Sequence, residues 1–135
     1  MLHTSGASAQ VAAGDDRDAV LAVVQRLFDG MREKEASMLE AVFAPDARLG
    51  TRDAKIFIEG VVSSERYLDE VTFDETVLID QDLAMAWTPY NLFVDGEFHH
   101  CGVDLFVLRR TESGWHITHL DDTRRSEGCD PKRRS

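Results

Sequence analysis

Apolar residues in the first third of the chain recur every three or four positions, which is the spacing of an amphipathic helix. In the first such segment they are Val20, Val23, Val24, Leu27, Phe28 and Met31. The acidic run at 15–18 can cap the free N–H groups at its start, so the pattern predicts a helix over residues 16–31. A second, shorter helix is predicted over residues 36–43, and Pro45 ends it.

The middle of the chain has a less regular pattern. Residues 46–51 and 55–61 are predicted to form two short strands. Ser63 or Ser64 can cap a third helix that runs to about Val71.

The last half of the chain has the pattern of strands. A β-branched run at 75–79 is followed by long segments at 83–94, at 98–110 and from 115 to 121 or 122. The Asp95-Gly96 pair between the first two long segments is a strong signal for a two-residue hairpin. These strands carry polar and aromatic residues among their apolar ones, which favours a curved sheet that lines a pocket.

Helices first and strands last is the order of an α+β protein. We expect a cone-shaped curved antiparallel sheet wrapped around a long N-terminal helix, with two shorter helices and a cavity at the open end. A length of 135 residues favours one domain with a modest core. The prediction is a flexible leader over 1–14, a single domain over 15–125 and a partly disordered tail over 126–135.

The chain is acidic, with a formal net charge of −10. Such a body repels phosphate backbones, so nucleic acid is not expected as a partner despite the basic tail. No apolar run approaches the roughly 18 residues of a membrane span. The first residues do not have the pattern of a secretory signal, so a cytoplasmic location is expected by default.

The two cysteines, Cys101 and Cys129, lie outside any Cys-x-x-Cys motif. Two reduced thiols are the favoured interpretation, because a cytosolic location argues against a disulfide. A bridge between a strand and a folded-back tail is the alternative.

Several local motifs resemble the nuclear transport factor 2-like superfamily. The sequence F-A-P-D-A at 43–47 is similar to the segment that follows the second helix in that superfamily, and G-W-H-I at 114–117 is similar to the start of its last strand. The segments 87–90 and 121–125 resemble a bacterial branch near the polyketide-cyclase-like and putative lumazine-binding proteins. The resemblance covers about residues 15–129, and it implies the same cone-shaped fold.

A distant resemblance to the ketosteroid isomerases bears on the activity. Those enzymes use a carboxylate base with an oxyanion hole made of a tyrosine and a protonated aspartate. Asp104 falls on the position of the oxyanion aspartate, but Leu27 stands at the position of the tyrosine. Where the base is expected, the nearest acid is Asp53. Steroid-type isomerisation is therefore not expected.

Side chains alternate along a strand, so His100, Asp104 and Phe106 share one face, which we interpret as the pocket side. Asp104 with His100 or His119 is the candidate acid/base pair for catalysis. The alternative is a buried aspartate whose oxygens are satisfied by neighbouring donors.

The ligand-binding candidates are aromatic or charged. Trp87, Tyr90 and Phe106 can contact a planar ligand, with ordinary core packing as the alternative. Arg48, Asp122 and Arg124 are further candidates, and internal ion pairs are their alternative role. No His-x-His or His-x-x-x-His spacing occurs, so no metal and no cofactor is expected.

Two classes of function remain, and neither is settled by the sequence. The first is a binding module for a small, apolar or planar ligand. The second is a cofactor-independent isomerase, dehydratase or cyclase that uses Asp/His acid/base catalysis. A third possibility is an interaction scaffold with a filled cavity. A homodimer is expected through the convex sheet face, with Cys101, Val103, Leu105 and Val107 as its candidate row.

Overall fold

The computed structural model describes the backbone of residues 10–11 and all of residues 14–134. Most of the predicted leader over 1–14 therefore lies outside the described residues. The described elements are three helices and eight strands. In chain order they are β1 (Gln10–Val11), α1 (Gly14–Glu33), α2 (Ala36–Val42), β2 (Phe43–Leu49), β3 (Arg52–Asp53), α3 (Ala54–Ser63), β4 (Leu68–Thr72), β5 (Thr76–Asp80), β6 (Leu83–Val94), β7 (Glu97–Thr111) and β8 (Gly114–Asp122).

One mixed sheet contains all the strands, in the order β1-β5-β6-β7-β8-β2-β3, with β4 also paired to β6. The long strands β6, β7 and β8 are antiparallel neighbours, and β2 joins the sheet parallel to β8. Asp95 and Gly96 both have positive φ angles, 52° and 84°, which is the geometry of the hairpin turn predicted for this pair. The predicted α+β curved sheet with helices is confirmed.

The apolar face of α1 packs against the concave side of the sheet and forms the centre of the core. The rings of Phe28 on α1 and Phe106 on β7 meet edge to face, with their centroids 6.2 Å apart. All the apolar positions that predicted this helix are buried. The 3.6-residue period of α1 thus identified the side of the helix that the sheet covers.

Two predictions for the middle of the chain are wrong. The segment 55–61, predicted as a strand, lies in α3, where Ala54, Ile58 and Val61 form one buried face. The Asp53 side chain caps α3 by accepting a hydrogen bond from the Lys55 amide at 2.9 Å. The predicted helix from Ser63 or Ser64 to Val71 is also wrong, because Leu68–Thr72 is strand β4. Pairing with β6 supplies its hydrogen bonds, which a local pattern cannot indicate.

The favoured interpretation of two reduced thiols is wrong as well, because Cys101 and Cys129 form a disulfide with a Cα–Cα distance of 6.0 Å. The tail after β8 folds back over the sheet. Cys101 and Arg125 exchange two backbone hydrogen bonds of 2.9 and 2.8 Å, and the Asn91 side chain donates to the Asp130 carbonyl at 2.8 Å. Since disulfides are rare in the reducing cytosol, this pairing gives the predicted cytoplasmic location no support.

None of the described helices combines the length and the apolar character that crossing a membrane requires.

Reduction of the Cys101–Cys129 disulfide is expected to lower the free energy of unfolding by about 3–4 kcal/mol. The reason is that the bridge closes a loop across a sequence separation of 28 residues, which restricts the unfolded chain. Urea unfolding with and without reductant measures the difference. A variant with both cysteines changed to serine is the control, since reductant should leave its unfolding midpoint unchanged. An identical midpoint for oxidised and reduced wild-type protein would contradict the prediction.

Candidate functional site

A cavity of about 290 Å³ lies between α1 and the concave face of the sheet. Its size is near the lower end of small-molecule sites. The apolar wall residues are Leu27, Phe28, Met31, Leu49, Phe57, Leu92 and Leu120. The polar wall residues are Glu70, Tyr90, His100, Asp104, Asp121, Asp122 and Arg124. The combination of an apolar side with convergent polar groups is typical of a ligand site.

Two carboxyl groups meet at the inner end of this cavity. Asp104 on β7 is 5% exposed and Glu70 on β4 is 9% exposed. β4 and β7 lie on opposite sides of β6, where Glu70 is opposite Leu92 and Asp104 is opposite Thr88. The sheet therefore brings together two acids that are 34 positions apart in the sequence.

The side chains of Asp104 and Glu70 form a hydrogen bond, which requires one shared proton. Burial raises the pKa of Asp104 well above its ordinary value, and the charge of Glu70 and the hydrogen bond to it act in the same direction. Burial also raises the pKa of Glu70, while the hydrogen bond from Asp104 opposes that shift. Asp104 is thus the member that holds the proton. Among the described residues, Asp104 Oδ2 has no donor.

Tyr90 on β6 lies beside this acid pair. Its hydroxyl donates a 2.8 Å hydrogen bond to the Thr123 carbonyl and lies 3.5 Å from Asp122 Oδ2. Burial, followed by the electrostatic effect of the neighbouring Asp104–Glu70 pair, raises the pKa of Tyr90, so the phenol stays neutral. Gly102 allows this contact, because a Cβ atom there would lie 1.9 Å from the Thr123 carbonyl oxygen.

His100 is half-buried, and its ring meets the Tyr90 ring edge to face at 5.6 Å. Burial lowers the pKa of His100, and the positive charge of Arg124 lowers it further. A neutral imidazole is therefore favoured at neutral pH. Arg124 lies at the exposed side of the cavity, where its Nε donates a 3.1 Å hydrogen bond to Asp122 Oδ2.

The structure brings together five of the predicted site residues. All of these are part of the cavity wall; they are His100, Asp104, Tyr90, Asp122 and Arg124. The prediction that the His100/Asp104 face of β7 is the pocket side agrees with this arrangement. His119, Trp87, Arg48 and Phe106 are not part of the cavity wall.

His119 lies on the opposite face of the sheet because β8 contains an irregularity. The register shifts between Val107 and Leu108, so Ile117 is opposite Leu108 and His119 is opposite Val107. Strict alternation had placed Ile117 and His119 on the same face. A bulge is a property of the pairing, and no residue in this stretch signals it.

Trp87, Phe106 and Arg48 also lie outside the predicted ligand site. Trp87 is opposite Leu105 on the convex face and is 46% exposed. Phe106 is fully buried against Phe28 in the core. Arg48 is exposed on β2, and its guanidinium donates to the Thr51 carbonyl.

Glu70 is the residue of the site that the sequence interpretation missed. It fell within a predicted helix, where a glutamate is an ordinary solvated residue. Strand β4 is only five residues long and Glu70 is its one buried residue, so its sequence carries no apolar alternation that could have identified it. Glu70 is recognisable as a site residue only when β6 places it beside Asp104. Across residues 14–134, no cluster of three or more His, Cys, Asp or Glu side chains could hold a metal ion.

Residues 15–119 match the profile of the family described as "Putative lumazine-binding". The matched segment is most of the chain, so the protein belongs to this family, and the predicted membership of the nuclear transport factor 2-like superfamily is confirmed. The comparison with curated proteins gives no significant match.

Solved structures with the same fold include three bacterial proteins. A protein of unknown function with a cystatin-like fold from Nostoc punctiforme has a TM-score of 0.75 at 10% identity, over 87% of this chain and 97% of that one. A nuclear transport factor 2-like protein from Novosphingobium aromaticivorans has a TM-score of 0.70 at 18% identity, over 87% of each chain. A protein described as a putative dehydratase, from Streptomyces avermitilis, has a TM-score of 0.68 at 16% identity, over 82% and 96%. At these identities the likeness shows the fold alone.

We expect the substitution Asp104→Asn to change how stability depends on pH. The raised pKa means that folded Asp104 keeps a proton that the unfolded chain releases above about pH 4. Its stabilising contribution is therefore complete at low pH and is lost as pH rises through the folded pKa; the raised pKa of Glu70 has the same sign. An asparagine amide needs no bound proton to donate to Glu70, so this variant should gain about 1–3 kcal/mol relative to wild type as pH rises.

Urea unfolding at a series of pH values between 4 and 9, on the order of five points, measures this difference. Asp46→Asn, which changes an exposed carboxyl on β2, is the matched control and should follow the wild-type profile. Parallel profiles for wild type and Asp104→Asn would show that the pair does not share a proton.

Proposed function

We propose that this protein binds a small, mainly apolar molecule that carries a hydrogen-bond donor. The observation that supports this function is the cavity itself. It is open, has an apolar side and a polar side, and has a neutral buried acid with an unpartnered oxygen, Asp104 Oδ2, at its inner end. A buried polar atom without a partner costs free energy, so a ligand that supplies the partner gains affinity.

The walls suggest how such a ligand would be oriented. Leu27, Phe28 and Met31 on α1 provide an apolar side against which a ring or short chain can pack. A donor group of the ligand would then donate a hydrogen bond to Asp104 Oδ2, because the proton of the acid pair is already held between the two carboxyl groups. An anionic group at that end would be repelled by Glu70, and the apolar walls disfavour a charge, so a neutral donor such as a hydroxyl group fits best.

Catalysis without a cofactor is the second candidate function, in the manner of an isomerase, dehydratase or cyclase. A specific observation supports it: a protonated acid, Asp104, and a neutral imidazole, His100, belong to the same cavity wall. Such a pair can act as proton donor and proton acceptor. His119 has no part in this candidate because it lies on the other face. An open cavity does not support the third interpretation, a scaffold with a filled interior.

Substitution of Asp104 distinguishes the two candidates. We expect small phenols to bind, with a loss of about tenfold or more in Asp104→Leu, which cannot accept a hydrogen bond, and a change of only a few fold in Asp104→Asn, whose amide oxygen can accept one. Titration by ligand-observed NMR gives the affinity and also detects any product. Arg48→Ala, outside the cavity, is the control and should bind as wild type does.

Turnover that is present in wild type and absent from Asp104→Asn would favour the enzyme over the binding module. Equal affinity in wild type and Asp104→Leu would contradict both, since the acid pair would then take no part.

We also propose a homodimer through the convex face of the sheet. The exposed Trp87 lies there beside the half-buried Val103, Leu105 and Val107, and these residues form an apolar surface. Cys101, the fourth member of the predicted row, is buried in the disulfide and lies at the end of the face that the tail covers.

Leu105→Asp is expected to produce a monomer, because a carboxylate at the centre of an apolar interface would lose its water without gaining a partner. Analytical ultracentrifugation measures the oligomeric state. Val62→Asp, which changes an exposed apolar residue on α3, should remain dimeric. A monomeric wild-type protein at millimolar concentration would refute the proposed interface.

A further inference from the structure

A second, larger space adjoins the cavity on the outer side of α3. It is a groove of about 610 Å³, and it shares three wall residues with the cavity: Leu49, Phe57 and Arg124. The two spaces are therefore neighbours, and these three side chains border both. The position of Phe57 is supported by Phe43, whose ring it meets edge to face at 6.2 Å.

The floor of this groove is apolar. Ile56, Val61 and Leu68 contribute to it, and Ile56 is 50% exposed although it is a large aliphatic residue. Arg52 and Asp53 contribute charge to the same wall. An apolar surface that continues directly from a ligand cavity can bury a further part of the same ligand.

We propose that the ligand of this protein is elongated, with its hydrogen-bond donor at Asp104 Oδ2 and an apolar tail that passes Phe57 and lies in the groove along α3. This inference rests on the proposed binding function and adds the shape of the ligand to it. The cavity alone is near the lower end of small-molecule sites. A ligand chain or second ring beyond that size has the groove as the neighbouring space.

Gly60 provides a direct test, because it contributes to the groove and not to the cavity. A Cβ atom placed on Gly60 would have no heavy atom within 4 Å, and the residue lies inside helix α3. Gly60→Leu therefore adds bulk to the groove without a clash. Gly60→Ala changes the backbone preference in the same way with little bulk, so it is the matched control.

Phenol and its para-butyl and para-octyl derivatives are suitable probes. Each has a neutral hydroxyl group that can donate to Asp104 Oδ2, and the alkyl chain extends from the opposite end of the ring. In wild type and in Gly60→Ala we expect each methylene that enters the groove to increase the affinity by about two- to fourfold. In Gly60→Leu, phenol should bind as it does to wild type, whereas the para-octyl derivative should bind at least tenfold more weakly than it does to wild type. Isothermal titration calorimetry measures the affinity of each probe for each of these proteins.

The outcomes separate this inference from the function on which it rests. If phenol binds but the octyl derivative is no tighter, or if Gly60→Leu keeps the full gain, the elongated ligand is refuted and the binding function stands. If phenol does not bind at all, or binds equally well to Asp104→Leu, the proposed site of the hydroxyl group is wrong and the inference fails with it.

Discussion

The packing of α1 into the concave side of the sheet is the constraint on which the rest of this structure depends. A helix is a cylinder and a twisted sheet curves around it, so the two surfaces fit closely over part of their length and diverge beyond it. Val20 and Val23 lie where the fit is close and are fully buried. Leu27, Phe28 and Met31 contribute to the core and also to the wall of the cavity. The cavity is thus a consequence of the same packing that stabilises the domain.

The buried acid pair adds an electrostatic constraint to this geometry. In a site with little water, ionising two neighbouring carboxyl groups together costs a large free energy. Asp104 therefore keeps its proton and donates to Glu70. The tail after β8 completes the surroundings of the pair, since the Thr123 carbonyl holds the Tyr90 hydroxyl and Arg124 faces the cavity. Hydrogen bonds to Cys101 and the disulfide hold that tail on the sheet. Fold stability and the chemistry of the site therefore depend on some of the same contacts.

Where the interpretation of the sequence was correct, the pattern was long or chemically specific. The apolar period of α1, the alternation in β6 and β7 and the Asp95-Gly96 turn each have a local physical cause, and together they led to the right fold. The interpretation of the sequence failed where elements are short. Residues of α3 were interpreted as a strand because their β-branched side chains favour extended backbone, yet Asp53 caps the segment and its buried face packs as a helix.

The sequence by itself determined the fold class and favoured the His100/Asp104 face of β7 as the pocket side, because helical and strand periods are properties of neighbouring residues. Only the tertiary structure decided that Glu70 meets Asp104, that a register shift in β8 turns His119 outward, and that Cys129 reaches Cys101. Each of these depends on which strand pairs with which and in what register. Such pairings depend on interactions between distant parts of the chain, so no local sequence pattern indicates them.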